Sequence, residues 1–249
     1  SWMAKIDTAA NILAQLGGAT YKGDVILTAN VTNAAQLATL NNQVTGKITL
    51  FNNAEDFSGT TKNLIDALSG IKGYKGDLTV NDTVAITIKD IKALNASTEG
   101  TLTLTGANVL ASTFTTDKAA DILAAFEGVT APMTGIITVK ETISLAQAEK
   151  LSALTSGVVT ATIAPATATE LLAATFVDKV AADDSITVTV KGAYTSTDLI
   201  ALKAEYWVKT ISLSNKAQAL TVDVAKVDDL VAALTGTGYK GNVTVTGTT

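Results

Sequence analysis

The chain has 249 residues, a net charge of −5 and a hydrophobic fraction of 47%, which excludes a disordered chain and allows a sizeable buried core. It contains no Cys and no His, and all 18 basic residues are Lys. These absences remove most nucleophilic and transition-metal sites, and they argue against a nucleic-acid surface. No apolar run approaches the length of a membrane-spanning helix, so the sequence predicts no membrane insertion.

Short segments with aliphatic residues on either side of a central residue predict nine β-strands. The central residue is Thr or Ser in eight of the nine, and most segments follow a Gly, which favours a turn at the entry to the strand. In chain order the predicted strands are Val25–Leu27, Ile48–Leu50, Leu78–Val80, Leu102–Leu104, Ile137–Val139, Val159–Ala161, Ile186–Val188, Ile211–Leu213 and Val243–Val245.

Between these strands, apolar residues three and four positions apart predict α-helices. The patterns centre on Ile12 to Leu16, Leu37 to Leu40, Leu64 to Leu68, Ile88 to Leu94, Ile122 to Phe126, Leu145 to Leu151, Leu171 to Leu172, Leu199 to Leu202 and Val227 to Leu234. A Thr or Ser precedes most of them, where its side chain would cap the helix. The predicted caps are Thr8, Thr32, Thr61, Thr87, Thr116, Ser144 and Thr195.

The connections between predicted strands alternate between short and long ones. The entry positions Gly23, Gly46 and Gly76 are 23 and 30 residues apart, and the alternation continues along the chain. The repeat is therefore a pair of strand-and-helix units of roughly 50–60 residues, starting near residues 23, 76, 135 and 184. Neither end shows the polar capping unit that isolated arrays need, so we expect one continuous array over residues 1–249, cut from a longer protein.

The tripeptide Tyr-Lys-Gly occurs at residues 21–23, 74–76 and 239–241, each time before a strand that follows a long connection. Its recurrence is compatible with a ligand contact along one edge. We favour a structural interpretation, in which the Tyr ring packs over the helix and the Gly permits the turn into the strand.

Two architectures fit alternating strands and helices: an open solenoid and a TIM-like barrel. Barrel strands are buried on both faces and read as continuous apolar runs, whereas here aliphatic residues alternate with Thr or Ser. The sequence therefore favours an α/β open solenoid of about nine βα units, with a parallel sheet, helices on one side and a Thr-rich exposed face. The TIM-like barrel stays as the alternative.

Adjacent acidic residues are the only candidates for chemistry. The pairs are Glu55–Asp56, Asp183–Asp184 and Asp228–Asp229. Paired carboxylates could bind Ca²⁺ together with loop carbonyls, or act as a general acid and base across a pocket. We favour structural or solvated roles, because the last pair lies in a helical pattern where neighbours point in different directions. The sequence predicts no catalytic residue, no cofactor and no metal.

A ladder of hydroxyl residues is the most suggestive surface. We expect its members to form one row at the strand spacing of about 4.8 Å. A regular Thr array resembles the ice-binding face of some antifreeze β-solenoids, which implies ice or a glycan as ligand. Thr is also simply the favoured polar residue on an exposed strand face. The members of this Thr ladder are Thr49, Thr79, Thr103, Thr138, Thr160, Thr187, Ser212 and Thr244.

Degenerate repeats that are acidic, free of Cys and rich in Ala, Thr, Val and Gly resemble the repeat arrays of very large bacterial cell-surface proteins, adhesin-like or surface-layer-like. The resemblance implies a secreted structural segment, located outside the cell or on its surface, that serves as a spacer, filament, coat or adhesin stalk. Its partners would be neighbouring repeats or further copies of the chain. A binding module that uses the Thr-rich face for ice or a glycan is the alternative function.

Overall fold

The structure, a computed structural model, describes residues 3–116, 118–177 and 183–247. Over these residues the chain is an α/β protein whose paired strands all run parallel. The strands are β1 (Lys5–Asp7), β2 (Val25–Leu27), β3 (Ile48–Thr49), β4 (Phe57–Gly59), β5 (Leu78–Val80), β6 (Leu102–Leu104), β7 (Phe114–Thr116), β8 (Val129–Thr130), β9 (Ile137–Ile143), β10 (Val159–Ile163), β11 (Ser185–Val190), β12 (Val208–Leu213), β13 (Leu220–Asp223) and β14 (Val243–Thr246).

Helices connect most of these strands, as parallel pairing requires. A single 3-10 turn, Val224–Lys226, leads into the last of them. The helices are α1 (Ala9–Leu16), α2 (Ala34–Gln43), α3 (Thr61–Leu68), α4 (Ile88–Asn95), α5 (Ala107–Leu110), α6 (Ala119–Ala125), α7 (Leu145–Leu154), α8 (Ala168–Leu172), α9 (Ser196–Ala204) and α10 (Val227–Leu234).

The chain divides into two compact units. The first comprises Ser1–Ser112 and Ala124–Pro132, and the second comprises Thr113–Leu123 and Met133–Thr249. The first unit holds two sheets with strand orders β1–β2–β3 and β4–β5–β6–β8. The second unit holds a five-stranded sheet, β12–β11–β10–β9–β7, and the pair β13–β14.

The alternation of aliphatic and hydroxyl residues builds the cores. In β11, Ile186, Val188 and Val190 are fully buried, whereas Thr187 and Thr189 between them are only half-buried. Fully burying one such aliphatic side chain contributes about 1.5–3 kcal/mol. The second unit adds a stacked aromatic pair, Phe176 and Trp207, whose ring centroids are 4.2 Å apart.

Each of the nine predicted strand cores coincides with a strand, although β3 ends one residue early, at Thr49. Five further strands, β1, β4, β7, β8 and β13, have no counterpart in the prediction. In three places, two strands follow each other along the chain with no helix between them. These pairs are β3–β4, β8–β9 and β12–β13. The count of about nine strand-and-helix units therefore stays a prediction, and strict alternation does not hold.

Some of the long connections carry an extra strand, whereas the one between Gly157 and Asp184 has none among its described residues. Strand β4 lies between Gly46 and Gly76, and β7 lies between Gly100 and Gly135. Each of these strands pairs with the one that follows the long connection and is an end strand of its sheet. At these two connections, the greater length therefore accompanies the start of a new sheet.

Helix capping follows the predicted chemistry at four of the seven predicted positions. The predicted cap Thr116 is wrong, because it lies in β7 and α6 begins at Ala119. Thr8, Thr87, Ser144 and Thr195 are N-caps whose side chains accept a hydrogen bond from the first turn. The predicted caps Thr32 and Thr61 are wrong by one residue, because Asn33 and Thr60 hold these places. Two adjacent residues with capping side chains leave such a choice to the backbone geometry.

Candidate functional surface

The Thr ladder is distributed over all four sheets. Three of these sheets contribute only one or two members, so the ladder is not one continuous row. Its members lie as follows: Thr49 in β3, Thr79 in β5, Thr103 in β6, Thr138 in β9, Thr160 in β10, Thr187 in β11, Ser212 in β12 and Thr244 in β14.

Two pairs of ladder residues are direct neighbours across adjacent strands. Thr79 pairs with Thr103 in the first unit, and Thr138 pairs with Thr160 in the second. The next step departs from the prediction, because Thr160 pairs with Ser185 and not with Thr187. A shift of two residues keeps the same side chains on the same face, so alternation alone cannot fix this register.

The five-stranded sheet instead carries two short rows of hydroxyl residues. The rows lie side by side on β10 and β11, where members of the two rows are two residues apart on each strand. The first row is Thr115, Thr138, Thr160 and Ser185, and the second row is Thr142, Thr162, Thr187 and Thr210.

These rows are neither evenly spaced nor fully exposed. Thr138, Thr160 and Thr187 are half-buried. The pairing of β9 with β10 also shifts register, since Thr142 and not Lys140 lies opposite Thr162. The extra residues spread the two rows apart at β9. Sequence reasoning located the hydroxyl positions but not this interruption.

The pair Asp183–Asp184 divides into one exposed and one buried carboxylate. Asp184 is 4% exposed and accepts hydrogen bonds from the Ser152 hydroxyl, at 2.6 Å, and from the Val159 backbone N–H, at 2.8 Å. Asp183 is exposed. The buried carboxylate therefore joins α7 and β10 to the start of β11, as a structural interpretation requires.

The pair Glu55–Asp56 also accepts backbone hydrogen bonds from neighbouring segments. Asp56 Oδ1 accepts from the N–H of Asp77, at 2.8 Å, and Glu55 Oε2 accepts from the N–H of Val31, at 3.2 Å. Both carboxylates lie at the entry to β4. Their hydrogen bonds fasten this new strand to the preceding and the following segments.

The same arrangement recurs at other strand entries. Asp24 Oδ1 accepts from the N–H of Lys47, at 2.8 Å, and Asp77 Oδ1 accepts from the N–H of Thr101, at 2.7 Å. In each case an Asp just before one strand binds the backbone just before the next. Charged acceptors of this kind form the stronger class of protein hydrogen bonds.

The remaining pair, Asp228–Asp229, lies in the first turn of α10, where negative charge is favourable to the helix dipole. Asp229 also accepts a hydrogen bond from Lys226 at 3.0 Å. Other carboxylates accept hydrogen bonds at the N-terminal ends of helices, and these bonds lower their pKa. Hydrogen bonds from Asn11 and Thr8 lower the pKa of Asp7, and those from the backbone and hydroxyl of Thr167 lower the pKa of Glu170.

The Tyr of the tripeptide inserts its hydroxyl into the preceding strand entry. Tyr74 donates to the carbonyl oxygen of Glu55, and its ring stacks on Phe57 with the centroids 5.6 Å apart. Tyr239 donates to the carbonyl oxygen of Gln218 at 2.7 Å. Burial raises the pKa of Tyr74, and the negative charges of Asp56, Glu55 and Asp77 add to the shift.

The Gly of the tripeptide permits close approach of two strands. A Cβ on Gly76 would lie 2.2 Å from the carbonyl oxygen of Glu55, and one on Gly241 would lie 2.3 Å from that of Gln218. The entry glycine Gly100 stands in the same relation to Gly76, at 2.6 Å. These contacts support a structural role for the tripeptide, with the Tyr hydroxyl bound at the preceding strand entry. Packing of the Tyr ring over the helix stays a prediction.

A groove of about 440 Å³ lies at the N-terminal end of α3, and sequence reasoning missed it. Three carboxylates line it, and each has a partner in the protein. Asp82 accepts from the N–H of Thr61, at 2.6 Å, Asp66 forms an ion pair with Lys62, at 2.5 Å, and Asp90 accepts from the hydroxyl of Thr87, the cap of α4. The carboxylates that line the groove are therefore already bound to groups of the protein itself.

Two classes of site are not present in the part of the chain that the structure describes. No cluster of three or more acidic residues there is arranged to hold a metal ion. No helix in those ranges combines the length and the apolar character needed to cross a membrane.

No protein-family model, curated protein or solved structure matches the chain. Function is therefore inferred from the chain's own residues and their contacts.

Proposed function

We propose that the chain is a structural repeat segment of a large bacterial surface protein, with no catalytic role. In this proposal its strand-and-helix units stack as an open solenoid that forms a spacer, filament, coat or adhesin stalk. One observation carries the proposal: the polar groups that could perform chemistry are engaged in bonds between successive strand entries. Asp24, Asp56, Asp77 and Asp184 all bind backbone N–H groups of neighbouring strands.

The repeated residues support the same interpretation. Gly76, Gly100 and Gly241 allow close approach of adjacent strand entries, and Tyr74 and Tyr239 donate across them. Each strand entry is thus fastened mainly to its sequence neighbours. Arrays of this kind lengthen by adding units without redesign of a central core, which suits an extended structural part. The composition resembles that of such surface arrays.

The test is a blot of the source cells with an antibody against this chain, before and after protease treatment of intact cells. The proposal expects a band of very high mass that disappears on treatment, because the segment belongs to a long protein outside the cell. A cytoplasmic protein blotted in parallel must survive, and lysed cells must lose both bands. A protected band near 25 kDa would overturn the proposal.

The two hydroxyl rows favour a second candidate function, a binding module for ice or a glycan. Thr160 and Thr162 of β10 lie beside Ser185 and Thr187 of β11, which places four hydroxyls in a regular patch. Lys substitutions at Thr160 and Thr187 would abolish ice shaping or glycan-array binding if this patch is the contact surface. Thr79→Lys in the other unit is the matched control, and equal binding by all variants would exclude the patch.

A further inference from the structure

The chain crosses between the two compact units three times. The first unit ends at Ser112 and resumes over Ala124–Pro132, while Thr113–Leu123 belongs to the second unit. Along the chain, β6 and β8 therefore lie in the first unit, whereas β7 and β9 lie in the second. Two units joined by a simple linker would need a single crossing, so the two extra crossings call for a physical account.

Strand β7 is part of the five-stranded sheet of the second unit. It pairs with residues 137–139 of β9, and the N–H of Phe114 donates to the carbonyl oxygen of Ile136 at 2.9 Å. The Phe114 side chain is 3% exposed. Strand β7 therefore contributes both hydrogen bonds and buried apolar surface to the second unit.

Strand β8 is bound within the first unit. It pairs with Leu102 and Thr103 of β6 and is an end strand of the four-stranded sheet. Just before it, the side-chain amide of Asn95, the last residue of α4, donates to the carbonyl oxygen of Glu127 at 3.0 Å. The chain is thus anchored again in the first unit directly after α6.

Helix α6 joins these two anchored strands, and the boundary between the units falls inside it, after its fifth residue. At its start the N–H of Ala119 donates to Oε1 of Glu141, at 2.9 Å, within the second unit. Ile122 in the second unit and Ala125 in the first unit are both fully buried. The helix has only seven residues, and an isolated helix of this length is not stable in water. The two ends of α6 therefore depend on different units.

We propose that α6, with β7 before it and β8 after it, couples the folding of the two units, so that they unfold together. When either unit unfolds, the end of α6 that this unit supports is released, and so short a helix then unravels along its whole length. The unit that is still folded thereby loses the apolar surface that its own end of α6 buried. Its stability falls as a result, and the second opening follows the first.

Coupling of this kind would serve the proposed structural function, on which its purpose rests. An extended spacer or stalk that is pulled at its ends yields first at its least stable unit. Two coupled units share their stability, so neither of them yields alone.

The test is native-state hydrogen exchange of the intact chain, measured by mass spectrometry, because exchange of core amides reports the free energy of the opening that exposes them. Gly76→Ala perturbs the first unit by crowding the entry to β5, and Asp184→Ala perturbs the second by removing a buried acceptor. We expect each variant to accelerate exchange in β5 and in β11 by the same factor, although these strands lie in different units. Acceleration confined to the substituted unit would overturn the proposal.

Ala124→Pro tests whether α6 carries the coupling. Ala124 is exposed, so a Pro there interrupts the hydrogen bonding of the helix without removing a buried side chain. Ala232→Pro is the matched control, since Ala232 is also exposed and its helix, α10, lies wholly within the second unit. With Ala124→Pro, the change Gly76→Ala should accelerate exchange in β5 alone, whereas the control should keep the effect on β11.

Ala124→Gly is the milder second variant, for use where the Pro variant does not fold, and it should reduce the response of β11 to Gly76→Ala. A full response of β11 in the Ala124 variants would mean that α6 is not the coupling element, and it would overturn the proposal. The protease blot does not depend on either result, so failure of the coupling is distinguishable from failure of the proposed function.

Discussion

The hydroxyl of Ser152 donates a hydrogen bond of 2.6 Å to Oδ2 of Asp184, and both residues are buried although 32 positions separate them in the sequence. The other carboxylate oxygen accepts the N–H of Val159 at 2.8 Å. One side chain therefore fastens α7, β10 and β11 together. A buried carboxylate is costly unless such bonds satisfy it, which makes this position sensitive to substitution.

Asp184→Ala is expected to lower the free energy of unfolding by about 2–4 kcal/mol, because it leaves two buried donors without this acceptor. Asp183→Ala is the matched control. It should change the free energy of unfolding by less than about 0.5 kcal/mol, since Asp183 is exposed. Urea unfolding of the two variants beside the wild type measures both effects. Equal midpoints for the two variants would refute the structural role of Asp184.

Gly76→Ala is expected to lower the free energy of unfolding by about 1–3 kcal/mol or more, because the new Cβ would overlap the carbonyl oxygen of Glu55 and force β4 and β5 apart. Gly59→Ala provides the control within the same sheet. A Cβ there would make only ordinary van der Waals contacts, the nearest with the Cβ of Ala34 at 3.5 Å, so the free energy of unfolding should change by less than about 0.5 kcal/mol. Thermal unfolding compares the variants, and a tolerated Gly76→Ala would show that the two strand entries are not in close contact.

Much of the fold could be predicted because its strands keep their aliphatic alternation. The strand Leu78–Val80 is visible in the sequence, since two buried aliphatic residues flank a Thr. Strand β4 could not be recognised in the sequence, because Phe57 is followed by Ser and Gly and so lacks the alternation of aliphatic residues. Its pairing comes from its partner β5 and from the Tyr74 hydroxyl bound at its entry, which are long-range contacts that local patterns do not contain.

The candidate surface was predictable only in part for a related reason. Alternation assigns Thr160 and Thr187 to the same face of their strands, but it does not say which residues lie opposite each other. The observed partner of Thr160 is Ser185. The burial of Asp184 could not be predicted either, because its partners Ser152 and Val159 are distant in the sequence and no local pattern indicates them.

Alkaline pH is expected to destabilise the protein partly through Tyr74. Burial raises the pKa of Tyr74 in the folded state above the value of about 10 in the unfolded chain. The unfolded state therefore loses its proton first, so the stability that this group contributes is full below about pH 10 and declines as the pH rises further.

Tyr74→Phe isolates this contribution, since both proteins share all other titrating groups. At neutral pH the variant should be about 1 kcal/mol less stable, because it lacks the hydrogen bond to the carbonyl of Glu55. Above about pH 10 the wild type should lose stability more steeply, so that the two curves converge. Urea midpoints measured between about pH 8 and pH 11 test this, and parallel curves would contradict a buried Tyr74 hydroxyl.

Loss of the hydroxyl is expected to affect the stability of the protein differently at the adjacent residues Thr60 and Thr61. Thr60 is the cap of α3 and accepts the N–H of Asn63, at 3.2 Å, so Thr60→Ala should cost about 1 kcal/mol. Thr61 Oγ1 is buried and has no hydrogen-bond partner within the ranges that the structure describes. Thr61→Val keeps the shape of the side chain and removes this unsatisfied atom, so it should leave stability unchanged or raise it by up to about 1 kcal/mol. The unfolding free energies of the two variants test this expectation. If Thr61→Val were destabilising and Thr60→Ala were not, the cap would be Thr61, as the sequence alone predicts.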